Sequence, residues 1–337
     1  MRVLRYILRR LLFIVPVLLG AVFIAFLLTR IVPGNPIERV AGPYASDEKV
    51  EELKREAGLL DPIYVQFYDY VGDLLNGDMG WSYQTNQPVT KDLAARFPAS
   101  LELVMYAMIL AILLAIPLGI LAAVKRGTWV DHVARVLSVI GVSVPIFWIG
   151  LVLLSTFYVR WDLLPGPAGR LPIGVKPPDD VTGLYTIDSL LMGNFELFRL
   201  SVRQLALPVI TIALTAMAPI ARMTRAMMID ALESDYVRTS RSLGIPGRVI
   251  VFHHALKNAF IPVLTLIAAV FGFALGGEVL VEQMFTWPGL GKYSLDAILG
   301  SDFPAVQGFI VLVTFLYVLI YLVVDVVTAL LDPRVEL

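Results

Sequence analysis

The chain has 337 residues, of which 58% are hydrophobic and only 16% charged, and its net charge is -1. A soluble domain carries about 25% charged residues, so the composition points to the bilayer as solvent, and the near-neutral charge gives no nucleic-acid signal. The absence of cysteine excludes disulfides, thiolate metal sites and cysteine nucleophiles.

Arg2, Arg5, Arg9 and Arg10 precede a first apolar run over 11–29. This run is longer than the about 7–15 residues of a signal-peptide core, and no small-x-small cleavage site follows it. An uncleaved anchor is expected. Further apolar runs lie at 101–124, 136–159, 205–221, 259–285 and 305–331. Each meets the need of about 17–25 residues for a spanning helix. The fourth is short and holds Pro208 and Pro219; it is expected to continue as a helix through Met223, Met227 and Ile229. Spanning backbone must pair internally, so the expectation is six helices.

An even number of spans puts both termini on one side. With the termini inside, the inner segments hold 14 Lys and Arg in about 64 residues, and the outer ones 13 in about 135. The positive-inside rule therefore predicts cytoplasmic termini. The first outer loop carries an acidic helical stretch, 47–56. After Asp61-Pro62 comes an amphipathic run with Ile63, Phe67, Tyr70, Val71 and Leu74 on one face, and Tyr64 and Tyr68 suit a membrane interface. The bland reading is a helix packed on the outer rim; the functional one is a docking surface. The second outer loop, 160–204, is rich in Pro and Gly and is expected to be irregular.

The polar segment 222–258 lies between two apolar runs. It reads Asp235-Tyr236-Val237-Arg238-Thr239-Ser240-Arg241-Ser242-Leu243-Gly244-Ile245-Pro246-Gly247, then continues from Arg248 to Asn258. Gly244 suits the left-handed position that ends a helix, and Pro246 blocks continuation. The bland reading is a solvated basic loop touching anionic lipid. Helix-break-helix grammar and a face of Arg and hydroxyl groups favour a hook that inserts into a partner, with Arg238, Arg241 and Arg248 reaching acidic or carbonyl groups.

Motifs for catalysis are absent. His132, His253 and His254 form no H-E-x-x-H pair, no G-x-S-x-G elbow occurs, and no metal site is expected. Pro288-Gly289-Leu290-Gly291-Lys292-Tyr293-Ser294 fails the phosphate-loop pattern at Thr286 and Tyr293, so it is read as a tight turn between a span and a short helix. Glu278 follows Gly276-Gly277 within the fifth run, and Glu282 is one turn later. Both are candidates for the substrate pathway, against a plain interfacial placement. Asp325, near the inner end of the sixth run, is expected to pair with a basic group.

The hook resembles the EAA loop of permease subunits in bacterial ABC importers. That pattern is Glu-Ala-Ala, three residues, Gly, nine residues, then Ile-x-Leu-Pro. Gly244 matches its glycine, and the last block keeps Leu256, with Arg238-Thr239-Ser240 in place of Glu-Ala-Ala. The oligopeptide/dipeptide/nickel (DppB/OppB-type) permeases show a similar departure. Tyr236, Val237, Arg238, Thr239, Arg241, Gly244, His254, Leu256, Asn258, Ala259 and Pro262 match their version, and Ser240 departs from its Ala. The likeness includes Pro33-Gly34-Asn35-Pro36, Gly77-Asp78-Met79-Gly80-Trp81-Ser82, Pro88-Val89, Phe285-Thr286-Trp287-Pro288-Gly289-Leu290-Gly291 and Asp332-Pro333-Arg334.

The resemblance implies an all-α integral membrane protein with the type I ABC importer (MetI-like) permease fold. Its parts would be a tail and first helix at 1–30, an extracytoplasmic loop with amphipathic helices at 31–100, and a five-helix permease core at 101–337 with the coupling loop at 222–258. It implies a peptide importer in a bacterial or archaeal cytoplasmic membrane, with nickel, glutathione or oligosaccharides as alternative cargo. Expected partners are a second homologous permease, two cytoplasmic ABC ATPase subunits and an extracytoplasmic substrate-binding protein, with ATP and Mg on the ATPase and no cofactor in this chain. The coupling residues would be Asp235, Tyr236, Arg238, Thr239, Ser240, Arg241, Gly244 and His254. Departures from Glu-Ala-Ala leave Arg238 or Arg241 to replace an acidic contact with opposite polarity. A stand-alone channel or secondary transporter is the alternative of another class, and a membrane enzyme is disfavoured by the missing motifs.

Overall fold

The computed structural model describes residues 2–31, 46–56, 58 and 60–331. Pro33-Gly34-Asn35-Pro36 and Asp332-Pro333-Arg334 lie outside the described residues. Among the described residues there is no sheet, and an antiparallel bridge joins Trp81 to Pro88. The helices are α1 (Arg2–Ile31), α2 (Asp47–Glu56), α3 (Ile63–Leu75), α4 (Val89–Val124), α5 (Trp129–Ser143) and α6 (Ile146–Arg160). They continue as α7 (Tyr185–Leu191), α8 (Phe195–Glu233), α9 (Asp235–Ser242), α10 (Gly247–Leu275), α11 (Val279–Met284), α12 (Leu290–Leu299) and α13 (Phe303–Leu331). The second outer loop, expected to be irregular over 160–204, is irregular from 162 to 184 as its Pro and Gly content predicts, but beyond that it forms α7 and the first ten residues of α8.

Helices α4, α8, α10 and α13 are long and apolar enough to cross a membrane, and α1 adds the apolar stretch Ile14–Leu28. In α8, 67% of the most apolar window is buried, against 6% in α13, which decides that α8 is the axis and α13 the flank. Val104, Met108, Ala111 and Ala115 of α4 pack on Ala213, Ala216, Ile220 and Ala221 of α8, with Val263 and Ala274 of α10 beside them. Lipid supplies no hydrophobic drive between helices, so contact depends on close approach by small side chains. Gly119 shows how close. A Cβ there would stand 2.6 Å from Cβ of Thr224 and 2.8 Å from the carbonyl of Ala221. Gly119→Leu is expected to cost about 1–3 kcal/mol by overpacking. Gly20→Leu in α1, where a Cβ meets nothing within 4 Å, is expected to change little. Unfolding temperatures of the two variants in detergent check the difference.

Three expected spans are corrected. The run at 136–159 is not one straight helix: α5 and α6 meet at 103°, because Pro145 holds Val144 in extended backbone. The run at 259–285 breaks after Leu275 at Gly276-Gly277, so Glu278 stands between helices. The second span starts at Val89 rather than 101, because Asp92 and Arg96 pair one turn apart (2.8 Å) and extend the helix past the apolar window. The fourth does continue through Met223, Met227 and Ile229 to Glu233. Its Thr211 and Thr215 hydroxyls donate to the carbonyls of Leu207 and Ile212, both at 2.8 Å, beside the prolines.

The end of the bundle away from the hook is knit by buried polar groups. Asp302 accepts from the Ser82 hydroxyl at 2.5 Å and from the Gln84 amide at 3.2 Å, tying the Gly77–Ser82 motif to the start of α13. Glu102 of α4 accepts from Arg170 (2.6 Å), the Thr186 amide (2.8 Å) and the Thr186 hydroxyl (2.7 Å), fastening the second outer loop. Burial and the carboxylates of Asp92 and Asp302 push the Tyr293 phenol up, so this cap holds a neutral Tyr. Helix α3 leans on α1 through Phe67 and Tyr70 against Phe23 and Phe26, with centroids 5.2–5.9 Å apart. Its Tyr64 and Tyr68 stay exposed. This is the bland reading of that helix, a rim element held by aromatic contacts.

The candidate coupling hook and translocation face

The hook begins where α8 stops. Ser234 takes extended backbone, and its hydroxyl donates to the Ala231 carbonyl at 2.5 Å, turning the chain into α9. The sequence reading missed this first break; a Ser before Asp235 and a new run of helix formers is its signal. Helix α9 has eight residues, and its Val237 is fully buried. The second break follows the expected chemistry. Gly244 has φ +74°, its amide donates to Arg241 O at 3.0 Å, and the Ile245 amide donates to Ser240 O at 3.2 Å. These are the two bonds of a Schellman cap.

Asp235, Tyr236, Arg238, Thr239, Arg241 and Gly244 are exposed together on this short helix and its cap, with Ser240 and His254 half-buried. Arg238 and Asp235 pair at 3.3 Å on the surface, a contact of little energetic weight. The hydroxyl face expected for partner contact is turned inward electronically: Thr239, Ser240 and Ser242 donate to the carbonyls of Asp235, Tyr236 and Arg238. The sequence reading also missed three apolar groups. Leu243 is 75% exposed at the tip, and Val249 and Phe252 protrude behind it. Arg241 and Arg248 edge a groove of about 510 Å³ whose floor comes from Ile120, Val124 and Ile250. The hook thus offers an apolar tip flanked by guanidinium groups on a rigid mount. The mount is apolar too, since Ile120 and Ala123 of α4, Met228 and Ala231 of α8 and Ala255 and Ala259 of α10 form one cluster beneath it.

Glu278 and Glu282 part company. Glu278, beside Gly277 at φ +140°, edges an open cavity of about 330 Å³ with Thr215 and Pro219 of α8 and Phe273 of α10. Glu282 does not face an aqueous cavity. It is 2% exposed, accepts from the Ser100 hydroxyl at 2.5 Å and the Lys292 amide at 2.8 Å, and from α11 its carboxylate reaches the N-terminus of α12. The same Ser100 oxygen accepts from the Leu290 amide at 2.7 Å, and the Trp287 indole donates to Ala99 O at 2.8 Å. The Pro288–Gly291 turn is therefore a structural clasp, and a Cβ on Gly289 would overlap both Glu282 and Ser100. Glu282 is thus built into this clasp and does not line the cavity that Glu278 edges. The carboxylate suits the place because helix N-terminal amides favour an anion. Among the described residues no cluster of three His, Asp or Glu is placed to hold a metal.

Comparison with known proteins gives the same architecture a lineage. Residues 115–337 match the model for the "binding-protein-dependent transport system inner membrane component", and residues 3–104 match the N-terminal model of such membrane components. A probable D,D-dipeptide transport system permease protein of Escherichia coli K12 is 45% identical over 322 residues, covering 96% of this chain and 94% of that protein. The dipeptide transport system permease protein of Alkalihalophilus pseudofirmus is 39% identical over 333 residues, covering 99% of each. A glutathione transport system permease protein of Salmonella choleraesuis is 35% identical over 333 residues, again covering 99% of each. With two family models spanning nearly all of it and relatives matched along their whole length, the chain belongs to the binding-protein-dependent transport system inner membrane components, the permease subunits of ABC importers.

Proposed function

We propose that this permease carries peptides, forms half of the translocation pathway with a second homologous permease, and is driven through the hook at 235–248 by a cytoplasmic ATPase. ATP and Mg belong to that ATPase, and an extracytoplasmic binding protein delivers the cargo. The single observation that carries the reading is the continuity of α8. One helix runs from the pathway cavity at Thr215 and Pro219 to Glu233, and the capped, exposed α9 follows after a one-residue turn. A conformer favoured by ATP at the hook is then favoured at the cavity, since both ends sit on one continuous helix. Glu278 gives the cavity a carboxylate suited to a peptide ammonium group. Glutathione is the second reading of the cargo, because a permease of that name aligns over the full length.

In this reading six spans cross a bacterial or archaeal cytoplasmic membrane, with α5 and α6 together as the third, and both termini and the hook are cytoplasmic. The chain has no cysteine, so single cysteines report on this without background. Thr239→Cys is expected to react with an impermeant maleimide only in inverted vesicles, and Tyr64→Cys only from outside intact cells. The reverse labelling pattern would end the proposed orientation. Recovery of the ATPase and a second permease with the tagged chain, and labelled dipeptide uptake only when all are reconstituted, test the assembly.

A further inference from the structure

A second basic site lies away from the hook's tip, where the hook-side ends of α4, α5 and α8 meet. A cavity of about 220 Å³ opens there, lined by Gly119 and Ala122 of α4, Arg135 and Ser138 of α5, and Arg222 and Arg225 of α8. Three guanidinium groups converge on it. Among the described residues only Asp131, 2% exposed at its side chain, is ion-paired with any of them. Its carboxylate is already committed: Arg225 donates to both oxygens at 2.6 and 3.0 Å, and the Gly127 amide donates at 3.1 Å. Arg135 reaches it only at 3.7 Å and is 49% exposed. Arg222 has no ion pair with any described residue. One carboxylate against three permanent cations leaves an excess of two positive charges at the mouth.

The surroundings select the ligand. Gly119 lies five residues before the end of α4, about 7.5 Å along the axis, near headgroup depth for a spanning helix. The cavity floor is apolar, with Leu118 and Ala122, and the outer face of α5 carries the exposed Val136, Val139 and Ile140 up from its mouth. A soluble anion has no use for that ladder of side chains. A lipid has both an anionic phosphate for the arginines and acyl chains for the valines. We infer that this cavity binds the phosphate of an anionic phospholipid, with Arg135 and Arg222 as its direct partners, Arg225 held in place by Asp131, and an acyl chain along α5.

The test uses the assembled transporter extracted from vesicles of mixed phosphatidylglycerol and phosphatidylcholine. Native mass spectrometry counts the lipid retained. The native complex is expected to keep phosphatidylglycerol in preference to phosphatidylcholine, and millimolar inorganic phosphate is expected not to displace it. The paired substitution Arg135→Gln with Arg222→Gln leaves the Arg225–Asp131 pair intact. It is expected to lower retention roughly thirtyfold, equivalent to about 1 kcal/mol per basic side chain at an anionic surface. Val139→Glu, at an exposed position on the mouth, places a negative charge there and is read in the same way if the double variant does not fold. Equal retention by native and folded variant complexes would overturn the site. So would equal retention of the two lipids, which includes the case of a second subunit covering this face. Displacement by inorganic phosphate would replace the lipid with a free anion and overturn the assignment.

Discussion

Gly244→Phe is expected to leave the complex assembled and to cut ATP-driven uptake at least tenfold. Gly244 sits at φ +74°, and an added Cβ meets nothing within 4 Å, so its first side-chain atom meets no steric wall. The conflict is in the backbone. A non-glycine residue in the left-handed region costs about 1–2 kcal/mol, and a bulky one is a rare outlier there. That cost falls on the cap that ends α9, an eight-residue helix too short to persist without its mount and its caps. The bundle below is untouched, because the clusters beneath the hook contain no atom of Gly244. Gly244→Asn separates conformation from bulk. Asn visits the left-handed region more readily, so this variant is expected to keep most of the uptake. ATPase activity and labelled-peptide uptake measured on the same reconstituted complex check both variants. Full uptake by the Phe variant would remove the hook from the coupling path.

The two acidic residues after the fifth span are expected to fail in different ways. Glu282→Ala removes the acceptor for the Ser100 hydroxyl and the Lys292 amide, both buried or nearly so. Leaving two such donors unpaired costs about 1–3 kcal/mol each, so the outer clasp is expected to lose about 3 kcal/mol in stability. Its signature is a lower unfolding temperature in detergent and less assembled complex. Glu278→Gln changes the charge at an open cavity and removes no side-chain hydrogen bond or ion pair with the described residues. It is expected to fold normally and to raise the apparent KM for peptide uptake. A stable Glu282→Ala protein with slow uptake would return that residue to the pathway, and unchanged KM in Glu278→Gln would remove Glu278 from it.

Why one of these roles was readable and the other was not has a simple cause. Hydropathy locates the spans because each uses an apolar surface long enough to cross the bilayer. It does not see where a helix leaves the apolar window. Val89 to Phe97 stay helical on the strength of local bonds and the outer cap, so the second span starts early. An average over 136–159 conceals a 103° bend at one proline. Gly276-Gly277 was visible as a pair, yet only the structure shows that the helix stops there. The Schellman cap was legible because Leu243-Gly244-Ile245-Pro246 carries its own geometry. The clasp was not, because Ser100 lies 182 residues from Glu282. The exposed Leu243 escaped notice for a different reason: a lone apolar residue in a polar segment reads as anchor or as tip, and only its 75% exposure decides.

Helix α8 is 39 residues long, so its axis measures about 58 Å. Its first turns are pinned by Asn194, which accepts from the Leu197 amide at 3.0 Å, while its last residue hands over to the hook. Pro219 breaks the ladder 14 residues before that end, at the place where helices bend most easily. A flexure of about 10° at Pro219 swings the far tip by about 4 Å over the remaining 21 Å or so of rod. In the proposed coupling, such a hinge would convert a small sideways push below into a local reshaping of the wall beside Thr215, with no sliding of the whole subunit through the lipid.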